Sequence, residues 1–140
     1  MSTKKLLIGG IVGGIAFFFL GWFIYGNLLM DFMSKNHSLP EPMGVNRPMP
    51  LWLYLIIGNL LAGFLIAYIF IKANISTVGS GITVAGTVAL LMTGSFDFMM
   101  YSLTTLMNLK AVIVDVAASV VMVGIVGGII GAIYNKMQKQ

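Results

Sequence analysis

Four apolar runs, each long enough to cross a bilayer, constrain this 140-residue chain more than any other feature. A membrane-spanning helix needs about 20 consecutive apolar residues, and such runs cover 6–30, 51–71, 79–106 and 111–134. The length permits one domain only, and of the three connections only 31–50 is long. The expected fold is therefore an all-α membrane protein, a four-transmembrane-helix up-down bundle forming a single domain over residues 1–140. The first run follows Lys4 and Lys5, as a signal peptide would. It is too long for a signal h-region and ends without a small-residue cleavage site, so it reads as a retained helix.

Composition agrees. Hydrophobic residues make up 59% and charged residues 9%, against roughly a quarter charged in soluble domains. The absence of cysteine excludes a disulfide-stapled fold and a thiol nucleophile. Net charge is +4 from 8 basic and 4 acidic residues. The basic side chains are scattered singly or in pairs and form no stripe for nucleic acid. They fit a bilayer better, because lysines collect beside spanning helices on the cytoplasmic side. With the N-terminus inside, Lys4, Lys5, Lys72, Lys136 and Lys139 are cytoplasmic and Lys35, Arg47 and Lys110 are outside. That bias predicts both termini in the cytoplasm (N-in/C-in). It places the segment 31–50, which holds all 4 prolines, on the outer face as a loop.

Lipid is as apolar as leucine, so small residues mark helix contacts. Gly9, Gly10, Gly13 and Gly14 in the first span, and Gly124, Gly127, Gly128 and Gly131 in the fourth, form overlapping GxxxG pairs. They predict close approach of spans one and four in the inner half, or a homodimer through one such face. In the third span, Gly79, Thr83, Gly86, Thr93, Gly94, Asp97, Tyr101, Thr104 and Asn108 fall on one side at 100° per residue. Such a stripe should face protein or water.

Two carboxylates lie inside spans, Asp97 and Asp115. An aspartate at mid-span costs about 2.5–3.5 kcal/mol on insertion scales, so it needs a partner, a proton or water. Asn59 and Tyr25 fall at the same outer depth, as does Tyr101, and are the expected hydrogen-bonding companions of the two aspartates. Catalysis has no support: one histidine, no cysteine, and no GxSxG, HExxH or phosphate loop. His37 reads as a solvated loop residue rather than a metal ligand. No enzyme activity, cofactor or metal is expected.

The segment 97–131, with Tyr101, Thr104, Thr105, Leu106 and Asp115, resembles the C-terminal half of small bacterial four-span membrane proteins of unknown function. The aromatic GWFIYG at 21–26 ahead of a polar outer loop is similar to the same families. Their pattern has an aspartate just after the tyrosine and an asparagine where Thr105 stands; this chain has Ser102 and Thr105. The resemblance implies four spans and a bacterial membrane, and no activity.

Two functions fit. The first is a non-enzymatic accessory or interaction subunit, or small-ligand binder, with an outward-facing polar pocket; its partners are the lipid bilayer and another membrane protein or a second copy. The alternative is a small homo-oligomeric transporter or channel in which Asp97 exchanges a proton or cation.

Overall fold

The computed structural model describes residues 2–36, 47 and 49–140. These are helical almost throughout, with no strand among them. The helices are α1 (Thr3–Phe23), α2 (Met30–Lys35), α3 (Trp52–Lys72), α4 (Val78–Leu103) and α5 (Leu109–Gln138). A π-helical turn, Ile24–Leu28, extends α1. Four stretches are long and apolar enough to cross a membrane: Thr3–Leu28, Trp52–Lys72, Val78–Leu103 and Leu109–Gln138. Their outward faces carry Leu, Ile, Phe and Met, as a lipid-facing surface requires.

The helix ends follow local chemistry. Ser2, Thr77 and Asn108 each accept a hydrogen bond from the backbone N–H three residues on and start α1, α4 and α5, satisfying donors that have no partner within the helix. α3 stops where Asn74 adopts a left-handed φ of 57°. There Ile75 N–H bonds to the Phe70 carbonyl and Asn74 N–H to that of Ile71, a Schellman closure.

The span limits differ from expectation by a few residues. The third span ends at Leu103 rather than 106, because Thr104 is extended (φ −136°, ψ 168°) and its hydroxyl folds back on the Met100 carbonyl. The presumed loop 31–50 begins as helix: Met30–Lys35 precedes every proline, and nothing in its sequence breaks a turn. His37 and most of the proline-bearing segment lie outside the described residues.

α5 is the central helix, in contact with α1, α3 and α4. The glycines pack closely but not as expected. Gly10 and Gly14 of α1 meet Phe64 and Leu60 of α3, and Gly63 of α3 lies directly against the α1 backbone at Gly10, Gly13 and Gly14. Gly127 and Gly131 of α5 lie against the backbone of Gly81 and Thr77, and Gly124 and Gly128 against Ile82 of α4. Spans one and four therefore do not meet glycine to glycine. They touch where Tyr134 and Ile130 of α5 fill the space over Gly9 and Gly13. The small residues of α1 and α5 are taken up by the sequence-adjacent helices, which have small residues of their own at matching heights. Tyr134, almost fully buried, donates its hydroxyl to the Lys5 carbonyl at 2.7 Å and ties the two chain ends together.

Candidate functional site: a carboxyl pair between α4 and α5

Asp97 is the one charged side chain buried among the described residues, 4% exposed. Its Oδ2 is buried and has no hydrogen-bond partner. Asp115 faces it across the α4–α5 interface, within interaction range. Helix geometry brings the two together. Contacts between α4 and α5 run Thr77–Gly131, Gly81–Gly127, Gly86–Val120, rising on one helix as they fall on the other. Helical side chains lean toward their own N-terminus, so in this register Asp97 and Asp115 lean toward each other.

A third helix closes the site. The Tyr25 hydroxyl lies 3.3 Å from the Asp115 main-chain oxygen and 3.1 Å from Ser119 Oγ. It can donate to the carbonyl while accepting from the serine. Tyr25 sits in the π-turn, where Leu29 N–H bonds to the Ile24 carbonyl at 2.8 Å and the Asn27 amide caps that of Trp22 at 3.0 Å. Such insertions re-aim side chains and recur at functional sites. Ser119 is itself buried.

Towards the α4–α5 link, Asp97 is one of the residues lining a cavity of about 130 Å³, with Met100, Tyr101, Thr104 and Met107. The link is fixed to the end of α2 by Asn108, whose amide donates to Asn36 Oδ1 at 2.6 Å. Tyr101 thus shares the cavity with Asp97 but is half exposed. Asn59 is not a companion of the aspartates: its amide donates to its own helix at the Leu55 carbonyl, 2.8 Å away. It lines a separate cleft of about 270 Å³ between α3 and α4, whose far wall includes Thr93 and Ser119. Ser119, one turn beyond Asp115, lies on the same face of α5.

The polar stripe of α4 is only partly covered. Gly86 and Asp97 are buried, whereas Gly79 and Gly94 meet nothing within 4 Å and Thr83 is exposed, bonded to the Gly79 carbonyl. Among the described residues no group of three or more His, Cys, Asp or Glu side chains could hold a metal ion. Comparison with known protein families, curated proteins and solved structures returns no match.

Proposed function

We propose that this is a non-enzymatic, multi-pass protein of a bacterial inner membrane whose Asp97–Asp115 pair binds a proton or a cation reached from one side only. The observation that carries this is the buried, unpartnered Oδ2 of Asp97 beside a second carboxyl. Two carboxyls in contact in a low-dielectric setting do not both ionise cheaply, so the pair holds either a shared proton or a bound positive charge. A purely structural aspartate would be saturated by donors, and this one is not.

The supported arrangement is an up-down bundle with GxxxG-type packing and both termini cytoplasmic. The Tyr134–Lys5 bond supports termini at one end, and the lysines at 4, 5, 72, 136 and 139 favour the inside for that end. The carboxyl pair then opens outward. Below it, Gly127 on Gly81 and Gly131 on Thr77 bring backbone onto backbone, which supports a closed inner half in a single copy. Binding, in a ligand-sensing or accessory subunit, is therefore favoured over transport. Transport between two copies is the second reading, favoured by the open α4 face at Gly79, Thr83 and Gly94.

Dicyclohexylcarbodiimide, which adds to protonated carboxyls in apolar surroundings, tests the first reading. An adduct at Asp97 or Asp115 in peptide mass spectra is expected, at the exclusion of the solvent-facing Asp31. No adduct at either overturns the proton or cation site.

A further inference from the structure

We infer that a polar cavity at the opposite end of the bundle, between the start of α1, the α3–α4 link and the end of α5, binds a phosphate group. The group belongs to an anionic lipid headgroup or is free phosphate. The cavity measures about 190 Å³, room for such a group with water around it, and Ser2, Lys5, Asn74, Tyr134 and Gln138 line it. The surface it presents is mostly polar, whereas that of the clefts beside α3 is mostly carbon. The donors are set by the fold. The Tyr134 hydroxyl bonds to the Lys5 carbonyl at 2.7 Å, and the Lys5 ammonium lies 5.5 Å from the centre of the Tyr134 ring. That keeps the positive charge beside the cavity. Ser2 Oγ accepts the Lys5 N–H at 3.2 Å, so its own proton remains to donate. Asn74 is held by the left-handed turn that closes α3, and its amide, like that of Gln138, carries two N–H donors.

Charge decides the sign of the ligand. The acidic side chains of the protein stand at 31, 41, 97 and 115, all on other segments. Lys72, Lys136 and Lys139 lie within a few residues of the lining positions, so an anion is attracted and meets no carboxylate side chain in the cavity wall. Height decides its class. The apolar span of α3 ends at Lys72, so the cavity stands at the edge of the hydrocarbon layer, where lipid phosphates are concentrated. Lysine binds phosphate as a point charge, and basic pockets between spanning helices recognise anionic headgroups. Phe70 and Ile71 add apolar surface on the membrane side, which suits the glycerol and first acyl carbons of a lipid.

The test uses the intact chain in detergent micelles and follows acetylation of Lys5 by acetic anhydride, read in peptide mass spectra beside that of the exposed Lys4. Dioleoylphosphatidylglycerol and sodium phosphate are the two phosphate sources. Dioleoylglycerol controls for the acyl chains, and sodium chloride for ionic strength. At saturation a phosphate source is expected to slow acetylation of Lys5 at least about tenfold, and that of Lys4 to a lesser degree. Protection by the phospholipid alone assigns the site to a headgroup; protection by sodium phosphate as well assigns it to the free ion too. Both outcomes support the proposal. Asn74→Gly keeps the left-handed turn and removes the amide. Combined with Gln138→Ala, it is expected to raise the half-protective concentration roughly 3- to 10-fold. No protection by either phosphate source, or equal protection by sodium chloride or dioleoylglycerol, overturns the proposal. So does an unchanged half-protective concentration in the double variant, which would put the anion outside the cavity.

Discussion

Tyr25 and Ser119 are 94 residues apart in the chain, and their hydroxyl oxygens lie 3.1 Å apart, joining the widened turn at the end of α1 to the middle of α5. The same phenol reaches the Asp115 carbonyl, so one side chain holds the α5 backbone at the height of the carboxyl pair. Interhelical hydrogen bonds in membranes contribute about 0.6 kcal/mol on average and up to about 1.7. Tyr25→Phe and Ser119→Ala are each expected to lower unfolding free energy by that order. Their double variant should lose less than the sum, because both remove one shared contact. Chemical denaturation in a single detergent measures it; full additivity would show that the contact is not made.

The α1–α3 interface depends on Gly63. A methyl group there would meet the Gly14 nitrogen, the Gly10 oxygen and the Gly13 carbonyl carbon, all backbone and unable to move aside. Gly63→Ala is expected to cost about 1–3 kcal/mol by overpacking. Gly58, on the same helix with nothing within 4 Å of an added Cβ, is the control, and Gly58→Ala should be neutral or slightly stabilising. Thermal unfolding of the two variants side by side separates packing from helix propensity.

Asn108 has two tasks that a substitution can divide. Its Oδ1 accepts from Ala111 N–H and starts α5, while its amide donates to Asn36 Oδ1. Asn108→Asp keeps the cap but sets an acceptor against an acceptor. It should leave α5 intact and speed hydrogen exchange around residues 30–36. Asn108→Ala should lose both the α5 cap and the Asn36 contact and cost about 1 kcal/mol more. Identical exchange in the Asp variant and wild type would show that the Asn36 contact does not hold the link.

The four spans were legible because apolar length alone reports them, and the helices that start after Thr77 and Asn108 begin within a few residues of the expected span starts. The glycines were legible as contact points, yet their partners were not. Gly13 and Gly131 carry no information on which backbone approaches them; that depends on small residues elsewhere, Gly63 for one and the Thr77 backbone for the other. The aspartates were legible as exceptions to an apolar rule. Their meeting was not, since it follows from the α4–α5 register. Tyr25 was expected near them, but its attachment to the Asp115 main chain and Ser119 depends on a π-turn that no periodicity announces. Asn59 misled for the opposite reason: depth matched, but its amide is satisfied one turn back on its own helix.

A structural Asp97 and a ligand-binding Asp97 differ in what its removal does to stability. A buried carboxyl that braces the bundle would take hydrogen bonds with it, and losing one partner of a satisfied buried network costs about 3–5 kcal/mol. Here Oδ2 has no partner to lose among the described residues, and the acid that faces it is Asp115. Asp97→Asn gives the site a donor, which can bond the Asp115 carboxyl and removes the problem of two acids side by side. The variant is therefore expected to unfold at the same temperature as the wild type or higher, the trade of stability against function found at binding sites. Thermal unfolding in detergent without added ligand checks this. A drop equivalent to several kcal/mol would make Asp97 a strut of the bundle and remove the ground for a site there.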